Sequence, residues 1–303
     1  MKLDKKYIIG LSIGLIIGFT ISSHYVTATV EGNPMIAGDL PQVIQAVDMS
    51  KTFDFAGEPV PNNFDTKERL DRELSVNAYW QSSTLLNLKT ANRYFPMMER
   101  VLAEHGIPQD FKYLSVAESN LRNVSSSANA KGFWQFRKLA AKEMGLEVND
   151  EVDERYHAEK ATIAACKYIK QLHGRFGNWT NAAASYNVGP TNFRRTLKAQ
   201  GEESFYDLNM NSETSRYLFR LIAFKEIMKA PEKYGYYVND DEKYPINDTY
   251  EVIVDKSVPS WSQFAKDHGI SYRMLKVYNP WLIDNKLTVI NNTYKIKLPR
   301  RHN

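Results

Sequence analysis

The chain has 303 residues, 43% hydrophobic and 24% charged, enough for about two domains, one with a sizeable core. Its 39 basic and 35 acidic residues leave a formal charge of only +4, and no dense Lys/Arg run or nucleic-acid motif accompanies it, which argues against nucleic acid as a partner. The single cysteine, Cys166, excludes a disulfide framework and a cysteine-rich metal site, and inside a helical pattern it reads as a small core residue.

Lys2, Lys5 and Lys6 precede an apolar run from Tyr7 to about Ile21 that fades toward Val30. Residues 1–30 therefore read as an export signal, with Val26-Thr27-Ala28 as a cleavage site, or as an uncleaved anchor over residues 7–28. Lysines before the run and none soon after it put the remainder in the periplasm, on the outer side of the inner membrane. Residues 31–84 form a lead-in, irregular to about residue 65, and a first helix.

From Thr66 to about Tyr234 the pattern is helical, with segments near 66–87, 90–105, 109–122, 137–144, 158–176, 180–187, 191–199 and 213–229. The 158–176 segment is the clearest, with Ala161, Ala164, Ala165, Tyr168, Leu172 and Phe176 on one face and Lys160, Lys167 and Arg175 opposite. After about residue 248 the pattern changes. Tyr250 to Val254 and Tyr294 to Pro299 alternate as strands, and Ser260 and Ser271 can each cap a short helix between them. The expected fold is mainly α, an α-helical domain over 85–235 followed by a small β-α-α-β module over 248–300.

One carboxylate is oddly placed. Phe111, Leu114, Glu118 and Leu121 share a stripe of the 109–122 helix, so Glu118 lies on or beside the core-facing side. Spacing alone leaves two readings open, a structural ion pair or an acid held in an apolar cleft. In the second case desolvation raises its pKa and keeps it protonated near neutral pH, ready to protonate a leaving oxygen.

Three further blocks follow Ala117-Glu118-Ser119. They are Ser125 to Phe136 (Ser-Ser-Ser-Ala-Asn-Ala-Lys-Gly-Phe-Trp-Gln-Phe), Ala184-Ser185-Tyr186-Asn187-Val188-Gly189-Pro190, and Glu213-Thr214-Ser215-Arg216-Tyr217. Taken singly, they equally fit a turn glycine, core aromatics and a helix terminus. In this order they resemble the soluble-lytic-transglycosylase (SLT) family, a branch of the lysozyme-like superfamily, in the form found in the D-type membrane-bound enzymes. The resemblance spans roughly residues 85–235 and implies a lysozyme-like fold acting on peptidoglycan glycan strands. It implies Glu118 as the one catalytic acid/base. It implies substrate contacts from Ser119, Ser126, Gly132, Phe133, Trp134, Gln135, Tyr186, Asn187 and Tyr217. Ser185 stands where the family has alanine, and the serine loop is one residue short, which bears most on Ser126.

The reaction so implied cleaves the N-acetylmuramic acid–N-acetylglucosamine bond and closes a 1,6-anhydro ring, with the sugar's own C6 hydroxyl as nucleophile. It calls for no metal and no organic cofactor. Asp110, Glu143, Glu147 and Asp153 are available carboxylates, but none falls in a catalytic block of the family. His157-Ala158-Glu159 lacks zinc-site spacing. A hydrolase of the goose-lysozyme or chitinase kind and a catalytically silent peptidoglycan-binding protein are the rival readings. The tail from Tyr250 to Pro299 resembles a LysM module, which implies N-acetylglucosamine binding. It departs from that family at Val258-Pro259-Ser260-Trp261.

Overall fold

The computed structural model describes residues 45–300, and the export-or-anchor reading of residues 1–30 lies outside them. Among the described residues no helix is long and apolar enough to cross a membrane.

The lead-in departs from expectation. It contains a tight hairpin, β1 (Asp54–Phe55) paired antiparallel with β2 (Glu58–Pro59). Ala56 and Gly57 both take positive φ at its turn, the geometry a two-residue hairpin needs. Phe53 and Phe55, both ahead of the turn, enter the main core. The hairpin is also tied down electrostatically. Lys225 Nζ donates to Asp54 Oδ1 at 2.8 Å and to Asp110 Oδ2 at 2.7 Å, and Asp110 Oδ2 accepts from Ala56 N.

Helix α1 (Phe64–Tyr79) starts at Asn63, whose side chain accepts from Thr66 N while Thr66 Oγ1 accepts from Asn63 N, a capping box. Helix α2 (Gln81–Glu104) follows directly. The expected break near 87–90 is thus corrected to Trp80, whose ψ of 63° leaves the helical region. Thr84 Oγ1 donates to Asn77 O at 2.6 Å across the break, a side chain competing with the backbone ladder.

A 3₁₀ turn (Gln109–Phe111) leads into α3 (Lys112–Ser119). That helix stops short of the expected Arg122, because Asn120 and Leu121 adopt φ of 51° and 52°. Asn120 Oδ1 accepts from Ser83 Oγ and Asn87 Nδ2, so α2 holds this left-handed exit in place. The remaining helices fall within a residue of expectation: α4 (Lys138–Glu143), α5 (Ala158–Phe176), α6 (Trp179–Val188), α7 (Pro190–Gln200) and α8 (Ser212–Lys229). On α5, Ala161, Ala164, Ala165 and Leu172 are buried as patterned, and Cys166 is fully buried with them. Leu218, Phe219, Leu221, Ile222, Ala223 and Phe224 of α8 are all buried, while Arg216 and Arg220 lie part-exposed on the same helix. It packs against α1, α3 and α6 as the axis of the core.

The C-terminal module has the expected order, β3 (Thr249–Val254), α9 (Trp261–Asp267), α10 (Tyr272–Tyr278) and β4 (Tyr294–Pro299). The strands pair antiparallel from Thr249↔Pro299 to Val254↔Tyr294. Trp261, Leu275, Trp281, Ile296 and Leu298 fill a second core, and Val152, from the segment between α4 and α5, is buried among them. The same segment is stitched to the module. Asp153 N donates to Trp281 O (2.8 Å), Ile283 N to Glu151 O (3.0 Å) and Tyr294 Oη to Glu147 Oε1 (3.0 Å). Thr288 Oγ1 donates to Glu151 Oε1.

Candidate active site

Glu118 is the next-to-last residue of α3, between the buried Leu114 and Leu121 of the predicted stripe. Its own side chain is half-buried, with some access to solvent. Burial is the largest influence on its carboxyl and pushes its pKa from 4.5 up to about 7. The Tyr217 hydroxyl, donating to Oε1 at 2.7 Å, and the nearby Arg220 charge pull the other way, while Glu213 adds to the rise. A group so poised is a proton donor below neutrality and an acceptor above it.

The blocks distant in sequence meet around this carboxyl. Ser119, buried, donates from Oγ to Ser115 O and to Phe133 O, both at 2.9 Å, joining α3 to the 125–136 loop. Tyr186 on α6 donates from Oη to Trp134 O at 2.7 Å. The Glu118 charge is felt at both Tyr186 and Tyr217, and burial with that charge lifts both phenols well above 10, so they act as neutral donors. Asn187 follows Tyr186, half-exposed at the end of α6.

The 125–136 loop is built on tight backbone geometry. Gly132 takes φ +78°, and a Cβ there would stand 1.8 Å from Arg155 O, so glycine is required on both counts. Gln135 has φ 48°, and its side-chain amide donates to Gly132 O (2.8 Å) and Val124 O (3.1 Å). Strain of this kind at a candidate site points to function. Ser126 is exposed, and its Oγ accepts from Ala130 N, closing its own turn.

Phe133 and Trp134 are placed differently from a sugar-facing wall. They are 2% and 0% exposed, and Trp134 Nε1 donates to Thr162 Oγ1 in the core. Their rings support the site from behind, while their carbonyls receive Ser119 and Tyr186. The other carboxylates considered are engaged elsewhere or open to solvent. Asp110 pairs with Lys225, Asp153 with Arg155, and Glu147 takes the Tyr294 hydroxyl, while Glu143 is exposed.

Two supports went unread in the sequence. Arg155, held by Asp153 at 2.7–2.8 Å, donates to Asn129 O and Phe136 O and so braces the loop from below. Glu58 of the hairpin accepts from Trp179 N (2.7 Å) and Thr180 N (2.8 Å), capping the helix that carries Tyr186. The first had a faint signal, an Asp-x-Arg pair in a loop; the second had none.

A mainly helical domain with a half-buried acid, a phenol bonded to it and a small strand-helix module behind defines a class that the family models match. Residues 97–209 match the transglycosylase SLT domain, and residues 250–302 match the soluble lytic transglycosylase C-terminal LysM-like domain. The two matches fall on the helical domain and on the C-terminal module respectively. The chain is also homologous to the membrane-bound lytic murein transglycosylase D of Escherichia coli K12 and to its counterpart in a second Escherichia coli strain, at 25% identity over 252 residues. That alignment takes in 80% of this chain but 53% of each relative, so the chain spans about half their length. Among solved structures, the soluble lytic transglycosylase SLT70 of Escherichia coli aligns with TM-score 0.41 and 17% identity, covering 56% of this chain and 31% of that one. An inactive mutant of the lytic transglycosylase Slt of Pseudomonas aeruginosa aligns with TM-score 0.40 and 18% identity, covering 60% and 31%.

Proposed function

We infer that this chain is a peptidoglycan lytic transglycosylase in which Glu118 is the single acid/base. The observation that carries the reading is the Glu118 carboxyl, pushed to about 7 by burial and bonded to Tyr217, beside the Trp134–Gln135 and Tyr186–Asn187 segments. The matches to the SLT and LysM-like domains and to murein transglycosylases support the substrate class.

Glu118 protonates the oxygen linking N-acetylmuramic acid to N-acetylglucosamine. Tyr217 then stabilises the carboxylate left behind, since its hydroxyl already points at Oε1. The substrate's acetamido group shares the positive charge that develops at C1. Glu118 takes the proton back from the C6 hydroxyl as that oxygen attacks C1 and closes the anhydro ring. The nucleophile belongs to the substrate, so one carboxyl serves both half-steps. Gln135 and Asn187, both part-exposed, are the polar side chains offered to the glycan near the acid, while Ser119 ties the loop to α3 and Gly132 lets the loop backbone lie close to Arg155. The LysM-like module is the candidate for a second hold on the same polymer, and the membrane-bound relatives favour a place in the cell envelope.

The test is mass spectrometry of murein digested by the full chain and by Glu118→Gln. Anhydromuramyl ends are expected from the first, and the variant should lose at least about 100-fold in rate while keeping its fold. Reducing ends instead would make the enzyme a hydrolase. Murein retention without product would make it a binding protein.

A further inference from the structure

Glu73 has no part in the reading above, yet it lies on α1 completely shut off from solvent. Its carboxylate meets two guanidiniums from α8. Arg216 Nε donates to Oε1, and Arg220 Nε stands 3.5 Å from Oε2. The arginine side chains are 27% and 26% exposed, so the cluster runs from the core outward. A buried carboxylate survives only with such partners. Arg216 and Arg220 are one helical turn apart on α8, and Tyr217, the donor to Glu118, falls between them. Three residues after Tyr217, Arg220 shares its side of the helix, and its charge favours the ionised form of Glu118.

We propose that Glu73 is a positioning residue for the acid at Glu118: it anchors Arg220 against α1, so that the guanidinium serves as a counter-charge to the carboxylate left by proton donation without closing on it as an ion pair. The proposal rests on Glu118 being the acid. The groups facing that carboxyl are Tyr217, Arg220 and Glu213 from α8 and Tyr186 from α6, and Arg220 is the cation among them. Released from Glu73, Arg220 turns toward Glu118 and holds it ionised. Removed altogether, it leaves the carboxyl more firmly protonated. The two changes therefore act in opposite directions, which loss of packing alone does not do.

The Glu118 carboxyl is titrated by NMR of the labelled carboxyl carbon in the full chain, with the signal assigned by Glu118→Gln. Wild type, Glu73→Gln, Arg220→Gln and Arg220→Lys are compared, and the pH dependence of murein cleavage is recorded alongside. The midpoint should fall in Glu73→Gln and rise in Arg220→Gln, each by about half a pH unit or more. Arg220→Lys should restore most of the wild-type value. The high-pH limb of activity, where the protonated acid is lost, should move with each midpoint. Arg220→Gln leaves Glu73 paired with Arg216, so it tests the idea even if Glu73→Gln does not fold. A midpoint in Arg220→Gln within about 0.2 unit of wild type overturns the proposal, as do shifts of one sign in both variants. The titration needs no turnover, so the two failures are told apart: a chain inactive on murein sinks the functional reading, whereas an active one whose Glu118 midpoint does not move in Arg220→Gln sinks this proposal alone.

Discussion

A carboxyl that is harder to ionise in the fold than in the open chain works against folding wherever it is ionised. Glu118 titrates near 7 against an ordinary 4.5, so its penalty is absent below about pH 4, grows through that window and is complete above about pH 8. Glu118→Gln should therefore stabilise the protein at pH 8 by about 2 kcal/mol, a figure already reduced for the water that reaches a half-buried group, and raise Tm by about 5 °C. Thermal melts at pH 8 and pH 4 check this; the gain should vanish at the lower pH. Gly132→Ala should act in the opposite sense. With a Cβ 1.8 Å from Arg155 O and φ at +78°, the loop must move, at a loss of more than about 3 kcal/mol in chemical denaturation and with most activity gone. Cys166, fully buried and with its thiol pushed up to about 12, should stay unmodified by a thiol reagent until the chain unfolds.

At the scale of helices, periodicity carried most of the fold. The 158–176 face and the segments after it needed nothing beyond 3.6-residue spacing and their Asn, Ser and Gly ends. Trp80 was invisible because the break depends on Thr84 reaching back to Asn77, a choice made between side chain and backbone that no period records. Phe133 and Trp134 show a different limit, since an aromatic pair in such a block has the same composition whether it faces a ligand or the core. Glu73 was hidden for a third reason: it sits in a charge-rich helix that reads as solvated, and its partner Arg216 is 143 residues away. The Glu58 carboxylate under the start of α6 shows how such distant supports reach the site. Replacing it with alanine should cost about 1 kcal/mol and loosen the helix that carries Tyr186, seen as faster amide exchange at Trp179 and Thr180 and a lower turnover.

For the molecule as a whole, the two apolar cores meet through the 147–156 segment. Val152 is fully buried in the second core although it belongs, by sequence, to the helical part of the chain, and Arg155 three residues later braces the loop of the candidate site. Val152→Asp should weaken both together, lowering Tm by several degrees and raising the protease sensitivity of residues 250–300 before that of the helices. The β-α-α-β order of the module was legible from its strand alternation and serine caps, whereas its seat was not, because a single valine in a loop carries no signal of where it will be buried. Swapping this C-terminal module for one from another protein is therefore not a matter of joining ends at residue 248. A replacement lacking a socket for that valine would strand a hydrophobic side chain in water and leave unsupported the very stretch of backbone on which the arginine brace stands.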